Sequence, residues 1–319
     1  MSRSPLLVIS VVLPGCASLV SEVIATAPNH GHTIVTNEDD LPGDLPPGCS
    51  ALHLRCDAGS PPASLSAWVI DPAPRCPGEE SSPRGTVLLL HGFYRNKRGM
   101  LRFARPLLED GYRSVLVDLR GHGRSTGEYV GYGAFEAKDL SELIDRLEGS
   151  SMLRRPVGVF GISYGAAVAI QLAGLDPRVR SVVAVAPFTS LQDVVPRYVR
   201  LFLPFWGWFA SPGAIHDAVL GAGTRGGFDP ELASPLEAIR KAEARTLLIH
   251  GEDDFLIRCS HSERLHAARP DHSELLLIPG VGHNGAFHDP DRKVTGAARS
   301  WFEKWLVEEA DTAPDAPPG

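Results

Sequence analysis

The chain has 319 residues, of which 43% are hydrophobic and 22% charged, and these are the proportions of a soluble globular protein. This length is sufficient for one large α/β domain with a substantial core. The net charge of -7 and the lack of a Lys/Arg cluster in the sequence argue against nucleic acid as a partner. No stretch of the sequence is apolar over the length needed to span a bilayer.

The first residues are typical of an export signal. Arg3 precedes an apolar run, Leu6–Leu13, which continues into Pro14-Gly15-Cys16. This ending resembles a bacterial lipobox, although Pro14 and the single arginine depart from the usual pattern. We therefore predict a signal peptide over residues 1–15 and an exported, membrane-anchored lipoprotein lipidated on Cys16. A periplasmic or secreted protein with a plain signal peptide, and a cytoplasmic protein in which this run is a first β-strand, stay open.

Residues 16–48 show no sustained periodicity, and their second half is rich in Pro, Gly and Asp. We therefore expect a tether or loosely ordered arm. The cysteines that follow, at positions 49, 56 and 76, permit a disulfide in an oxidising compartment, between Cys49 and Cys56 or between Cys56 and Cys76. Reduced thiols are an equal alternative. The cysteine spacing matches no zinc motif, and we predict no metal ion and no cofactor.

Residues 49–309 alternate between apolar runs and helical patterns. Two alternating segments, 51–56 and 65–70, indicate an antiparallel edge hairpin. Continuous apolar runs indicate further buried strands at 86–90, 114–117, 157–160, 179–185, 246–249 and 274–278. Strands that alternate with helical patterns imply a parallel sheet, in which functional loops lie at the carboxyl ends of the strands. Residues 310–319 are expected to form a flexible tail.

The sequence Gly161-Ile162-Ser163-Tyr164-Gly165 joins one of these strands directly to an Ala-rich helical pattern. So abrupt a turn holds Ser163 at positive φ, and glycines flank it because a Cβ at either place would collide with the strand or the helix. Ser163 would then lie at a helix N-terminus, whose amides can stabilise negative charge. We predict a nucleophilic serine; the alternative, in a chain rich in Gly and Ser, is an ordinary glycine turn.

A serine nucleophile requires a base and a carboxylate that orients the base. Of the 12 histidines, His283 is the one that follows the last strand in a Gly-rich loop, where an imidazole can reach the serine. The carboxylate candidates are the neighbours Asp253 and Asp254, which follow the strand at 246–249.

Four motifs, each at the end of an expected strand, occur in an order typical of one superfamily. They are His91-Gly92-Phe93, Gly161-Ile162-Ser163-Tyr164-Gly165, His250-Gly251-Glu252-Asp253-Asp254 and Gly280-Val281-Gly282-His283. Over roughly residues 51–309 the chain resembles the α/β-hydrolases. Residues 186–190 and 234–236 resemble their serine esterase, monoacylglycerol-lipase and aminopeptidase-like branch. The resemblance implies an α/β-hydrolase fold: a mostly parallel central sheet, helices on both faces and a small cap or lid insertion.

The resemblance also implies roles for individual residues. Asp254 stands at the family position of the acid, so it is favoured over Asp253. The backbone N–H groups of Phe93 and Tyr164 are expected to form the oxyanion hole. His91 would brace the oxyanion loop rather than react, and residues 120–123 would form a structural turn.

The regular alternation breaks at residues 190–235. The stretch Leu201–Phe209 is densely aromatic, and residues 221–227 are rich in glycine. We interpret the segment as a small cap or lid above the serine, with a buried core helix as the alternative. An exposed aromatic lid would contact an apolar acyl group, or a membrane surface if the protein is anchored there.

Together these residues predict a serine hydrolase that cleaves small-molecule carboxylic esters with an apolar acyl group through an acyl-enzyme. Serine at position 163 disfavours the aspartate-nucleophile members of the superfamily. Peptide cleavage, thioester hydrolysis and acyl transfer use the same groups and stay open, because a fold does not determine a substrate. A non-catalytic surface lipoprotein is the alternative from a different functional class.

Overall fold

The computed structural model describes residues 14–30, 41–74, 82–202 and 210–306. Its centre is an eight-stranded sheet in the order β1-β2-β4-β3-β5-β6-β7-β8. The hairpin β1–β2 is antiparallel, β2 pairs antiparallel with β4, and the other neighbours are parallel. The strands are β1 (Ser50–Ala58), β2 (Ala63–Asp71), β3 (Thr86–Leu90), β4 (Arg113–Asp118), β5 (Val157–Ile162), β6 (Val179–Val185), β7 (Arg245–Gly251) and β8 (Ser273–Ile278).

Helices cover both faces of the sheet because the inner strands are apolar on both sides. In β3, Leu88 and Leu90 pack in one core cluster, whereas Val87 and Leu89 pack in the other. The described helices are α1 (Pro14–Ala25), α2 (Leu101–Glu109), α3 (Glu136–Gly149), α4 (Tyr164–Leu175), α5 (Leu191–Phe202), α6 (Pro212–Gly226), α7 (Pro235–Lys241), α8 (Ser260–Ala268), α9 (His283–His288) and α10 (Lys293–Trp305). The predicted edge hairpin and parallel sheet are confirmed.

The expectation of a loosely ordered arm over residues 16–48 is wrong for residues 16–25. Residues 14–25 form α1, whose Val20 and Ile24 are buried against α5 and α6. The Ser21 hydroxyl donates to the Ala218 carbonyl at 2.9 Å, and the Ile24 carbonyl accepts from the Tyr132 hydroxyl at 3.0 Å. The helix is therefore held by tertiary contacts, which its short and weakly periodic sequence did not reveal.

A cap of three helices covers the carboxyl ends of the central strands. Buried residues of α1, α5 and α6 form a third apolar cluster, separate from the two that flank the sheet. The predicted cap at residues 190–235 is thus present in the structure, but α1 contributes to it as well. Of the aromatic stretch 201–209, residues 203–209 lie outside the described residues.

Several predictions about the termini and the cysteines concern residues that the structure does not describe. Residues 1–13 and 307–319 lie outside them, as does Cys76, and the backbone of Cys16 lies in α1. Cys49 and Cys56 carry free thiols, and they pack on opposite faces of the sheet, so this pair forms no disulfide. None of the described helices has the length and apolarity required to cross a membrane.

The turn between β5 and α4 has the geometry predicted for it. Ser163 has φ +55° and ψ -115°, and α4 begins at the next residue. A Cβ on Gly161 would lie 2.2 Å from the carbonyl oxygen of Gly165, and a Cβ on Gly165 would lie 2.4 Å from that of Leu90. Glycine at both positions is therefore required for the strand and the helix to approach closely.

We expect Gly165→Ala to lower the free energy of unfolding by about 1–3 kcal/mol or more, because its Cβ would overlap backbone atoms. Gly296→Ala is the control, since nothing lies within 4 Å of a Cβ at that exposed position in α10. The control is expected to raise the free energy of unfolding by about 0.5–1 kcal/mol. Urea unfolding of both variants is the measurement, and equal changes of the same sign would contradict the packing argument.

Candidate active site

Three side chains meet at the carboxyl ends of the parallel strands. Ser163 follows β5, Asp254 lies in the turn after β7, and His283 is the first residue of α9 after β8. The His283 Nε2 atom lies 3.1 Å from the Ser163 Oγ atom, and its Nδ1 atom lies 2.6 Å from the Asp254 Oδ2 atom. The structure thus brings together the three residues predicted as nucleophile, base and acid. The one difference is that His283 begins a short helix rather than lying within a loop.

The Asp254 carboxylate is fully buried and held by several donors. Its Oδ1 atom accepts from the backbone N–H groups of Leu256 at 2.9 Å and Ile257 at 2.8 Å. Burial alone would raise the pKa of Asp254, but hydrogen bonds from His250, His283 and Ile257 outweigh it and hold that pKa well below its usual range. The side chain is therefore ionised, and it can orient His283 with its proton on Nδ1.

His250 lies next to the Asp254 carboxylate and is itself held by two hydrogen bonds. Its Nε2 atom lies 2.8 Å from the Ile257 carbonyl, which can only accept, so Nε2 carries the proton. Its Nδ1 atom then accepts from the Ser262 hydroxyl at 2.7 Å. The same Nε2 atom lies 3.4 Å from the Asp254 Oδ2 atom. His250 belongs to one of the four sequence motifs, but its supporting role depends on contacts with Ser262 of α8 and with Ile257 that no local pattern reveals.

The neighbouring Asp253 is placed differently. It is exposed, and its backbone N–H donates to the Val281 carbonyl at 3.1 Å, which ties the turn after β7 to the turn after β8. The preference for Asp254 over Asp253 therefore agrees with the geometry.

The loop after β3 lies against the serine. A Cβ on Gly92 would lie 3.6 Å from the Ser163 Cβ atom. The Gly92 carbonyl accepts from the His91 ring at 2.9 Å and from the Arg95 N–H at 3.1 Å. Because the C=O and N–H of one planar trans peptide point in opposite directions, these bonds aim the Phe93 N–H away from the His91 ring. Phe93 and Tyr164, the two predicted oxyanion residues, both line the cavity that contains Ser163.

The oxyanion loop is fixed from behind by buried polar groups. The His91 Nε2 atom accepts from the Leu119 N–H at 3.0 Å, as expected for a bracing residue. Asp118 accepts from the backbone N–H of Lys97 at 2.6 Å and from its Nζ atom at 2.5 Å. Lys97 and Asp118 are both buried, and they connect the loop to the turn after β4. The sequence analysis missed this ion pair because each residue looks like an ordinary charged residue at the end of an element.

A cavity of about 610 Å³ opens above Ser163. Its walls are formed mainly by apolar side chains of α1 and α5 and by the oxyanion loop. The lining residues of the two helices are Val20, Val23, Ile24, Val194, Val195, Tyr198, Val199 and Phe202. The α5 residues recur at helical spacing, so that one stripe of the helix faces the serine.

Tyr198 is the polar member of this stripe, and the sequence analysis missed it. Its hydroxyl interacts with the Ser163 side chain. Burial raises the pKa of Tyr198 and the charge of Asp254 raises it further, so the hydroxyl stays protonated and can donate a hydrogen bond. In the sequence, Tyr198 is distinguished only as one hydroxyl in an otherwise apolar helical stripe. Without the fold, nothing shows that this stripe faces Ser163.

Comparison with known proteins agrees with this geometry. The profile of a family described as serine aminopeptidase, S33, matches residues 81–222, which include β3, the oxyanion loop and Ser163. An esterase of Pyrococcus furiosus has the same fold, with a TM-score of 0.63 and 20% identity over 86% of this chain and 100% of that one. The chain belongs to the α/β-hydrolase superfamily, in its serine esterase and aminopeptidase-like branch. The family match and the esterase relative support hydrolase activity.

Three relatives in sequence extend the comparison. The uncharacterized protein Rv2307c of Mycobacterium tuberculosis is 31% identical over 225 residues, or 70% of each chain. The uncharacterized protein YqkD of Bacillus subtilis is 31% identical over 200 residues, and the match spans 62% of this chain and 64% of that protein. The bifunctional esterase/perhydrolase DCH of Acinetobacter calcoaceticus is 28% identical over 216 residues, or 55% of this chain and 76% of that protein.

We expect Asp254→Asn to lower kcat by on the order of 10⁴-fold, because the amide can no longer hold His283 with its proton on Nδ1. Asp253→Asn is the matched control, since its exposed side chain makes no contact with His283 in the structure, and its kcat should stay within about twofold of wild type. Steady-state kinetics on one activated ester would check both variants. A large loss in Asp253→Asn with little loss in Asp254→Asn would reverse the assignment.

Removal of the Tyr198 hydroxyl is expected to lower kcat/KM by about three- to tenfold in Tyr198→Phe, the effect of one lost hydrogen bond. The ring remains in place, so the free energy of unfolding should change little. Tyr129→Phe is the control, because Tyr129 lies outside the cavity lining. Kinetics and urea unfolding are measured on both proteins; equal kcat/KM values for Tyr198→Phe and wild type would show that the contact with Ser163 has no part in the reaction.

Proposed function

We propose that this hydrolase is a serine esterase that cleaves carboxylic esters with an apolar acyl group. The observation that carries the proposal is the chain of contacts from Ser163 through His283 to Asp254, with distances of 3.1 Å and 2.6 Å, in the wall of an apolar cavity. A serine, a neutral imidazole and a buried carboxylate in this order are the groups required for nucleophilic acyl transfer.

The acylation step follows from these positions. The Ser163 Oγ atom attacks the ester carbonyl carbon while His283 Nε2 takes its proton. The resulting imidazolium is stabilised by the ionised Asp254. The N–H groups of Phe93 and Tyr164 donate to the carbonyl oxygen as it becomes negative, and donors that are already in place need no reorganisation at that moment. The Tyr164 N–H also lies at the start of α4, where the helix dipole favours negative charge.

Collapse of the tetrahedral intermediate breaks the ester bond. His283 Nε2 returns its proton to the leaving alkoxide, and the alcohol departs. Water then attacks the acyl-enzyme, with His283 again as the base, and Ser163 recovers its proton when the carboxylic acid is released. Apart from this water, the groups used in these steps are side chains and backbone N–H groups of Phe93, Ser163, Tyr164, Asp254 and His283.

The character of the cavity supports an ester over an N-terminal peptide substrate. An aminopeptidase has to bind the ammonium group of its substrate, and a carboxylate is the usual partner for a buried cation. No Asp or Glu is among the described residues that line the cavity, and the charged group there is Arg95. The name of the Acinetobacter relative, an esterase/perhydrolase, also supports an ester substrate.

We expect a fluorophosphonate probe to label the wild-type protein on Ser163, since the probe reacts with activated serines. Ser163→Ala should lose the label and lower kcat on nitrophenyl esters by on the order of 10⁶-fold. Ser300→Ala, an exposed serine of α10, is the control and should keep both properties. The rate on nitrophenyl esters should rise as the acyl chain is lengthened from acetyl, because the cavity wall is apolar.

Two results would contradict the proposal. Labelling that persists in Ser163→Ala would place the nucleophile elsewhere. A wild-type protein that is labelled but cleaves aminoacyl nitroanilides and no esters would be a peptidase.

A further inference from the structure

Large apolar side chains surround the mouth of the cavity on its outer side. Leu19 and Val23 of α1 are 64% and 61% exposed, Leu201 and Phe202 of α5 are 40% and 64% exposed, and Tyr94 of the oxyanion loop is 71% exposed. Val23, Tyr94 and Phe202 also line the cavity. We name these five residues the apolar rim. Contiguous exposed apolar surface of this kind marks a site of interaction.

The rim is not a by-product of cap packing. The buried sides of α1 and α5 are already satisfied, because Val20 and Ile24 pack in the cap cluster with Val195 and Val199. A helix that only covered the domain would present polar residues on its other side. In α1 the outer side instead carries Leu19 and, one turn later, Val23. Both helices thus place large apolar side chains on their solvent-facing sides, beside the exposed charged residues Glu22, Asp193 and Arg200.

The adjoining sequence indicates what covers the rim. On α5, the sequence after Phe202 continues with residues 203–209, which include two tryptophans, and tryptophan is enriched at membrane–water interfaces. The stretch that follows the rim in the sequence therefore has the composition of a membrane-contacting segment.

Charge next to the rim fits an anionic surface. Arg95 at the mouth and Arg200 on α5 are both exposed, whereas the whole chain has a net charge of -7. Glu22 is the acidic residue of α1 and is also exposed. Arginines beside exposed apolar side chains are the combination that binds the headgroup region of membranes with anionic lipids.

We propose that the apolar rim docks on a lipid bilayer with anionic headgroups, so that the cavity takes its acyl chain directly from the membrane. The substrate class is accordingly an ester embedded in a bilayer. The choice of substrate rests on the proposed esterase function, whereas the docking itself does not. A bilayer accounts for the apolar side chains, the adjoining sequence and the arginines together.

The test compares two pairs of substitutions in the full chain. The first pair, Leu19→Ser with Leu201→Ser, removes rim leucines that lie outside the described cavity lining. The control pair, Leu175→Ser with Leu232→Ser, removes two other exposed leucines. Leu232 precedes Ala233, whose carbonyl accepts from the N–H of Leu191 at the start of α5, whereas Leu201 lies near the end of that helix. Leu175 is the last residue of α4. Because that helix begins directly after Ser163, Leu175 lies at the end of the helix that is far from the cavity.

Flotation with vesicles of phosphatidylcholine and phosphatidylglycerol measures docking, in an Ser163→Ala background so that turnover does not alter the lipid. The rim pair should lower the partition coefficient by about tenfold, since the lost apolar area no longer leaves water. The control pair should partition like the unsubstituted protein. With Ser163 intact, the rim pair should hydrolyse a long-chain ester embedded in vesicles about tenfold more slowly than the unsubstituted protein. Its rate on a short soluble ester should stay within about twofold.

Equal partition of the rim pair and the control pair would overturn the proposal, because attachment would then not involve the rim. So would self-association in the absence of lipid that the rim pair abolishes, which would make the rim an interface between two copies of this chain. Failure of the proposed function is distinguishable from both results. In that case the unsubstituted protein would bind vesicles through the rim and hydrolyse neither ester.

Discussion

The buried carboxylate of Asp254 is the interaction on which the rest of the site depends. An ionised group without solvent is costly unless donors surround it, and here two backbone N–H groups and two imidazoles do so. These donors come from the turn after β7, from β7 itself and from α9, so the charge can be tolerated only when three parts of the fold are assembled. The orientation of His283 is then a consequence of how a negative charge is accommodated within the core.

Two kinds of structure meet at Ser163. On the sheet side of Ser163, the backbone has almost no room to move. The glycines of the β5–α4 turn let the strand and the helix approach so closely that a Cβ atom at either position would overlap backbone atoms. Above Ser163, α1, α5 and α6 form a cap whose contacts are mainly apolar and adaptable. The three predicted catalytic side chains lie on the sheet side, whereas α1 and α5 of the cap supply much of the apolar wall of the cavity. Tyr198 belongs to the cap but reaches the nucleophile, and it connects the two parts.

The sequence predicted the positions of residues well where the fold leaves a local pattern. Ser163 and its flanking glycines have to be close in sequence because one turn requires them, and His283 and Asp254 follow strands that are apolar enough to be identified. The pattern failed where a residue's role depends on distant partners. Val20 and Ile24 form only one short apolar stripe, and its partners on α5 and α6 are invisible in the local sequence. The roles of Lys97, His250 and Tyr198 were not predicted for the same reason. Lys97 is in a buried ion pair, His250 supports Asp254 and Tyr198 lines the cavity, and each of these roles depends on neighbours in space rather than in sequence.

The place of α1 in the cap has a consequence for how the cavity comes to exist. The hydrogen bond from Ser21 to Ala218 spans 197 positions of the chain, and closing so long a loop carries an entropic cost that only the packing of the finished cap can offset. The first of the described helices therefore cannot complete its packing until α6 has been synthesised. Until α6 packs against α1, the cavity above Ser163 therefore lacks the wall that Val20, Val23 and Ile24 supply.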